Sequence, residues 1–450
     1  MGYSNSNGNS VTLGPELLQN QDVITDIDSS PKKSLSSDKN SKHGCRFCGA
    51  HLQHVFVDLG MSPLCQSQVS PDQLNIMESF YPLKAYVCDQ CFLVQVIEHV
   101  SGKEIFSHYA YFSSYSESWL RHVKKYTELM IGRFGFNSES QVIEVASNDG
   151  YMLQYFVEKG IPALGIEPAA NVAETAIKKG VPTVVKFFGE QTARELVKEG
   201  IEADLLAGKN VMAHVPDLND FIKGLKILLK SDGVITIEFP HLMRLIEDNQ
   251  FDTIYQEHYC YFSFIAAHQV FAAHGLTIFD VEEFPTHGGS LRIYARHTED
   301  ESKPVQESVT KMKNREVTAG YTKIETYHNF AEKVTETKRK LLEFLIQAKK
   351  EGKQIVGYGA PGKGVTLLNY CGIREDFIDY TVDRNPMKQN NYLPGVRIPV
   401  FSPEKIAETK PDYILILPWN LKEEIMEQLD YVRKWGAKFV VPIPELTVFK

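Results

Sequence analysis

The segment TIYQEHYCYFS, residues 253–263, sets Tyr255, Glu257, His258, Tyr261 and Ser263 within eleven positions. A phenol, a carboxylate and an imidazole at that spacing can take and give protons near neutral pH, where the ordinary imidazole pKa of about 6.5 falls. Any one of these side chains alone is more often a loop decoration or a packed ring, so the cluster gains meaning only from its surroundings. A second set lies in CRFCG and CDQC, where Cys45 and Cys48, and Cys88 and Cys91, form two C-x-x-C knuckles about forty residues apart. Four thiolates can close tetrahedrally on one zinc ion and leave no position for substrate or water, so a structural zinc site is expected. Disulfides are disfavoured in a reducing cytoplasm. Cys65, Cys260 and Cys371 lack paired spacing and read as buried or incidental thiols.

The elements that must position these groups are legible as an α/β pattern. QVIEVA reads as a buried strand, SNDG as a turn, YMLQYFVEKG as a helix ending at Gly160, and ALGIEP as a second strand that stops at Glu167. That is a βαβ unit of a doubly wound sheet, whose ligands sit beyond the carboxyl ends of the strands. Glu167 is placed to accept hydrogen bonds from ribose hydroxyls. The turn lacks a full G-x-G-x-x-G; Ala146, Asn148 and Gly150 hold its small or permissive positions, beside Asp149, which fits S-adenosylmethionine (SAM) better than a pyrophosphate. Strands at ADLLAGKNVMAHVPD and DGVITIEFPH flank the helical LNDFIKGLKILLKS, and Asn210 and His214 fall at and just after a strand end. The segment YAYFSSYSESW reads as a helix opening in which Ser113 and Ser114 cap free backbone donors. Further on, FAEKVTETKRKLLEFLIQAKKEGK is an amphipathic helix ending near Gly352, its charged face read as merely solvated. QIVGYGAPGKG then places Gly357, Gly359 and Gly362 in G-x-G-x-x-G spacing after a strand, with Asp383 about twenty residues on.

Length and charge bound the function. A chain of 450 residues exceeds one compact core, so two or three domains are expected. A net charge of -9 argues against an extended nucleic-acid face. No apolar run approaches the roughly 20 residues of a membrane helix, and no secretion signal opens the chain. The expectation is a cytoplasmic monomer without nucleic-acid or membrane partners. Its expected organisation is a disordered tail over 1–41, a zinc-binding module over 42–105, a central domain over 106–300, a helical connector over 301–350 and a C-terminal domain over 351–450.

The motifs CRFCG, CDQC, YAYFSSYSESWLRH, EVASNDGYML, GIEP, KFFG, NVMAHVPDLNDF, YQEHYCYFS, HGGSLRIY, GYGAPGKG, DRNPMKQNNYLPG and WNLKEEI stand in shared order from Cys45 to Lys450. In this the chain resembles the SAM-dependent C-methyltransferases that act on nucleotide-linked 4-keto deoxysugars. Glu144 and Ala146 depart from the Asp and Gly more usual in the family. The resemblance implies an N-terminal zinc-binding module, a central Rossmann-like class I methyltransferase domain and a C-terminal Rossmann-like nucleotide-binding domain. It implies a catalytic set of His258, Tyr255, Glu257, His214, Asn210 and Tyr109, with His258 as base, Glu257 tuning it, and Tyr255 and His214 holding the ketone oxygen. Cofactor contacts would come from Glu144, Ala146, Asn148, Asp149, Gly150, Glu167 and Phe188. Substrate contacts would come from Tyr111, Ser113, Ser114, Ser290, Gly359, Lys363 and Asp383, the last three beside the nucleotide diphosphate. The expected reaction is methylation beside the C-4 ketone of a nucleotide-linked 4-keto-6-deoxysugar, at C-3 ahead of C-5.

Two other readings compete. The C-terminal G-x-G-x-x-G with Asp383 would suit an NAD-dependent nucleotide-sugar oxidoreductase, although no substrate domain could follow it within the last hundred residues. The knuckles would suit a zinc-ribbon RNA-modifying protein, although residues 50–87 lack the basic and aromatic character that RNA demands.

Overall fold

A computed structural model of the chain describes residues 44–106 and 112–450, so Tyr109, Tyr111 and the expected tail lie outside the described residues. Three sheets carry the fold. The N-terminal strands are β1 (His54–Ser62), β2 (Tyr81–Val87) and β3 (Val94–Val96). The central strands are β4 (Val142–Val145), β5 (Ala163–Ile166), β6 (Thr183–Val184), β7 (Ala203–Lys209), β8 (Leu229–Pro240), β9 (Cys260–Tyr261), β10 (Leu276–Phe284) and β11 (Ser290–His297). The C-terminal strands are β12 (Ile355–Tyr358), β13 (Thr381–Val382), β14 (Val400–Phe401), β15 (Tyr413–Ile416), β16 (Lys438–Val441) and β17 (Thr447–Phe449).

The central sheet runs β10-β11-β8-β7-β4-β5-β6. Strands β4 to β8 pair in parallel, and β11 enters antiparallel between β8 and β10. Every residue of β4 and β5 is buried, as expected of parallel strands covered by helices on both faces. Chain order reverses between β4 and β7, which opens a crevice at their carboxyl ends. The helix Glu117–Phe134 covers one face through Trp119, Val123, Tyr126 and Met130. Its cap is Ser116, whose Oγ accepts the Trp119 N–H at 3.3 Å. Ser113 and Ser114, expected as caps, instead begin a 3-10 turn one step earlier, because the following residues continue the turn before the helical register starts.

The C-terminal sheet, β14-β13-β12-β15-β16-β17, is parallel except for β17 and reverses between β12 and β15. The N-terminal sheet is antiparallel in the order β1-β2-β3-β9. Its fourth strand, β9, comes from the central part of the sequence and carries the end of the TIYQEHYCYFS segment.

The N-terminal module joins the other two. Phe56, Val57, Leu83 and Ala85 share one core with the C-terminal sheet, while Cys45, Leu52, Cys88 and Leu93 pack into the core of the central sheet. The helix Phe330–Lys350 buries Phe330, Val334, Thr337, Leu341, Leu345 and Ala348, a stripe at helical spacing. Phe330 stacks on Phe56 with centroids 4.5 Å apart. This helix therefore packs on the core shared by β1 and the C-terminal sheet as well as presenting a solvated face. No helix among the described residues is long and apolar enough to cross a membrane.

Candidate active site

The knuckles bring four thiols together. Cys45 Sγ lies 3.5 Å from Cys91 Sγ, Cys48 Sγ 3.5 Å from Cys88 Sγ, and all four sulfurs fall within 4.8 Å of one another. Tetrahedral zinc with bonds of about 2.3 Å sets its sulfurs roughly 3.8 Å apart, so the cluster fits the ion. Gln95 Nε2 donates to Cys45 Sγ at 3.2 Å and the Gln90 N–H to Cys88 Sγ at 3.4 Å. Asn219 Nδ2 donates to the carbonyls of Arg46 and Phe47 at 3.2 and 3.0 Å, fastening the knuckle to the helix Leu218–Leu228. With every ligand position taken by sulfur, zinc here can only hold the fold.

A cleft of about 2280 Å³ runs from the carboxyl ends of the central strands to those of the C-terminal sheet. On its central wall the backbone after β4 turns through left-handed conformations at Ala146 (φ 57°), Asn148 (φ 50°) and Gly150 (φ 74°). Glu167 ties this turn to the next, its two carboxylate oxygens accepting the N–H of Asn148 and of Ala169 at 2.9 Å each. Each oxygen keeps a further lone pair, so the carboxylate can still accept from ribose hydroxyls, and burial raises its pKa. Asn148 Oδ1 accepts the Ser113 N–H at 2.8 Å. Ala146, Asn148, Glu167, Phe188 and Ser113 all line the cleft, and an adenosyl group fits this donor and acceptor set.

Other expected contacts stand behind that wall. Glu144 is wholly buried beneath the turn, its carboxyl pushed up to about 8 by that burial. Asp149 pairs with Lys179 at 3.0 Å, and the same Nζ donates to Ser114 Oγ at 2.7 Å. Gly150, Asp149, Glu144 and Ser114 thus shape the turn rather than line the cleft. Ser290 Oγ donates to the Thr286 carbonyl at 2.9 Å and does not line it either. These positions were legible as part of motifs, but direction into or away from a cavity is not a property of a motif.

The opening cluster sits at the centre of the cleft. His258 donates from Nδ1 to the Thr253 carbonyl at 2.8 Å, and His214 from Nδ1 to the Glu257 carbonyl at 2.9 Å. A carbonyl only accepts, so both rings carry their proton on Nδ1 and a lone pair on Nε2. Their centroids are 4.6 Å apart, and the Tyr255 ring lies 4.0 Å from that of His258. Burial drives His258 well below its usual range and His214 down to about 4. As neutral rings they are acceptors. With its proton engaged at Nδ1 by the Glu257 carbonyl, His214 offers a ketone only the lone pair of Nε2, which departs from the expected donor role. Asn210 completes this wall at φ 55°.

Glu257 also departs from expectation. Its carboxyl turns from His258 to the N-terminal module, where Cys65 Sγ donates to Oε1 at 3.6 Å. Burial pushes it up to about 7. Its backbone carbonyl holds His214, and Cys65, buried as expected, is the partner of its carboxyl.

The C-terminal wall presents Tyr358, Gly359, Lys363, Asp383, Arg384 and Lys388. Asp383 ties its loop to the turn after β12 as Glu167 ties its own, one carboxylate oxygen accepting the N–H of Ala360 at 2.7 Å and the other that of Asn385 at 2.8 Å. A Cβ on Gly359 would fall 2.6 Å from Pro418, and one on Gly362 would fall 2.9 Å from Cys65 Sγ. These two glycines of the fingerprint therefore make room for protein atoms, while both also border the cleft. Lys363 Nζ donates to Asn420 Oδ1 at 2.8 Å and lies 4.3 Å from the Trp419 ring centroid. Trp419 in turn donates to Asp252 Oδ2 at 2.8 Å, with burial raising Asp252 to about 6.

Several cleft residues escaped sequence reasoning. Lys209, Trp119 and His287 line it. Behind them Glu238 gathers Lys209 at 3.1 Å, Arg292 at 3.0 Å and His122 at 2.8 Å. The only signal for His287 was its position before two glycines in HGGSLRIY.

A strand-to-helix turn with left-handed residues, an acid after the second strand and an antiparallel strand inserted near the sheet edge define a methyltransferase fold. Comparison with known families agrees: a methyltransferase domain matches residues 119–281, a zinc binding domain residues 45–106, and a C-methyltransferase C-terminal domain residues 285–444. The C-methyltransferase NovU of Streptomyces niveus is 34% identical over 401 residues, covering 89% of this chain and 95% of that protein. The chain belongs to the family of SAM-dependent C-methyltransferases with a zinc-binding module. Among solved structures, magnesium protoporphyrin IX methyltransferase of Synechocystis PCC 6803 with bound SAM aligns at TM-score 0.30 and 13% identity, over 39% of this chain and 78% of that one. A Pyrococcus horikoshii protein aligns at TM-score 0.35 and 14% identity, over 43% and 97%.

Proposed function

We propose that the chain methylates the carbon beside the C-4 ketone of a nucleotide-linked 4-keto-6-deoxysugar, C-3 being taken ahead of C-5 on the family resemblance alone. A sugar carbon has no lone pair, so it must first lose a proton, and the adjacent ketone must accept the charge as an enolate. The observation that carries this reading is the pair of imidazoles His258 and His214, each held by a backbone carbonyl so that Nε2 bears a lone pair. His258 takes the proton on Nε2; His214 stands beside it, and Tyr255 braces the His258 ring. A positioned base contributes on the order of 10²–10⁴-fold. When bound, SAM supplies a sulfonium methyl to the carbanion face. Ala146, Asn148, Glu167 and Phe188 would hold it, and Lys388 and Arg384 across the cleft supply positive charge for a nucleotide diphosphate. Shared occupancy of one cleft by both reactants would supply much of the remaining acceleration.

His258→Asn is expected to lower methyl transfer from SAM to dTDP-4-keto-6-deoxyglucose by at least about 10³-fold, with the SAM dissociation constant within threefold of wild type. Mass analysis of the sugar and carbon-position assignment read the product. Undiminished turnover would remove His258 as base, and a methyl on oxygen or nitrogen would remove the reaction class.

A further inference from the structure

The three imidazoles of the cleft are not alike. His287 stands in the 3-10 turn Thr286–Gly288 between β10 and β11, at φ 56° and ψ 22°. A left-handed residue with a Cβ costs roughly 1–2 kcal/mol, and the turn is clamped to keep it. Gln250 Nε2 donates to the Gly288 carbonyl at 2.6 Å, and Thr286 Oγ1 donates to Glu238 Oε1 at 3.4 Å. The Trp119 ring meets His287 at 5.1 Å and 85°, and a Cβ on Gly288 would fall 2.6 Å from Trp419. Strain that a fold holds from several sides is a pointer to function.

Hydrogen bonding decides what the ring can do. Among the described residues, His287 Nδ1 is buried without a partner. A buried N–H lacking an acceptor is the rarer and costlier orphan, so the neutral ring carries its proton on Nε2. His214 and His258 have the opposite tautomer. Burial also holds His287 down to about 4, so it meets substrate as a neutral ring.

We infer that His287 is a further catalytic residue, whose Nε2–H donates to the ketone oxygen of the substrate as that oxygen gains enolate charge. The inference rests on the enolate reading above. The balance is simple: His258 gains the proton from carbon, the C–H electron pair moves toward the carbonyl oxygen, and His287 shares a hydrogen bond without surrendering its proton. Neutral imidazole is an effective electrophile in this role because its N–H strengthens as a donor only when charge develops opposite it.

The test needs no methyl transfer. Wild type, His258→Asn, His287→Ala and His287→Asn are incubated in deuterium oxide with dTDP-4-keto-6-deoxyglucose and without SAM, and exchange at C-3 and C-5 is followed by NMR. Wild type is expected to exchange one position. His287→Ala should exchange it about 10²–10³-fold more slowly, with the SAM dissociation constant within threefold. His287→Asn, at home in left-handed backbone and still bearing an N–H, should recover at least tenfold over Ala. Exchange by His287→Ala within threefold of wild type, while His258→Asn is inert, overturns the donor role and leaves the enolate reading standing; so does an Asn variant no faster than Ala. No exchange by wild type at either carbon overturns both.

Discussion

The turn after β4 and the turn after β12 begin alike and end differently. Each leaves the carboxyl end of a central parallel strand, beside a reversal of chain order, with permissive residues leading to a helix. By spacing alone the second is the better dinucleotide site, since Gly357, Gly359 and Gly362 match the fingerprint and Ala146, Asn148 and Gly150 do not. In the fold, the first turn borders the cleft through Ala146 and Asn148 beside Glu167, whereas the second, although Gly359 and Gly362 also border the cleft, is hemmed by Pro418 and Cys65 from distant segments. Glycine records that something approaches closely; it does not record whether that something is a ligand or the protein itself.

The largest effect should come from the first turn. Gly150→Ala places a Cβ 3.0 Å from Val181 and 3.2 Å from Ala176 at φ 74°. It is expected to shift the turn and weaken SAM binding at least tenfold by calorimetry, roughly 1.4 kcal/mol. An unaltered SAM affinity would put the cofactor elsewhere.

The second turn should answer differently. Gly362→Ala collides with Cys65 Sγ and should lower stability by about 1–3 kcal/mol in urea unfolding. Adding Cys65→Ala removes the sulfur and should restore part of it, a coupling that a ligand-binding glycine would not show. The affinity for NADH should be undetectable throughout.

A smaller effect tests what Cys65 is there for. The Glu257 carboxyl titrates near 7 in the folded chain against 4.5 as the ordinary value, because it is buried. Between those values the folded state binds a proton that the unfolded state has lost, so stability falls as pH rises from about 4.5 to 7 and levels off above. Glu257→Gln should flatten that slope, gaining on the order of 1–3 kcal/mol at pH 8 relative to pH 5 in urea unfolding. A slope unchanged by the substitution would mean that Glu257 is already ionised and otherwise compensated.

Much of this was legible beforehand, for physical reasons particular to each element. The zinc cluster could be read because C-x-x-C closes locally: each knuckle needs only a tight turn to aim two sulfurs. The strands β4, β5, β7 and β8 could be read because parallel strands buried on both faces are continuous apolar runs. Tyr255, Glu257 and His258 could be read as a cluster, but not what each would face. Glu257 turned to Cys65, nearly two hundred residues away in sequence, and no local pattern encodes such a pairing. The helix Phe330–Lys350 showed its apolar stripe but not that Phe56 would stack on it.

What the amino-acid sequence determined by itself, then, is what depends on neighbours along the chain: periodicity, turn chemistry, knuckle geometry and the presence of imidazoles where a base is needed. Only the tertiary structure decided which nitrogen of each imidazole holds the proton, which glycines meet distant protein atoms, and that His287 lines the cleft. Those outcomes turn on which carbonyl, ring or sulfur arrives from a distant segment, and hydrogen bonding and close packing respond to the partner that is present in space, whatever its distance in sequence.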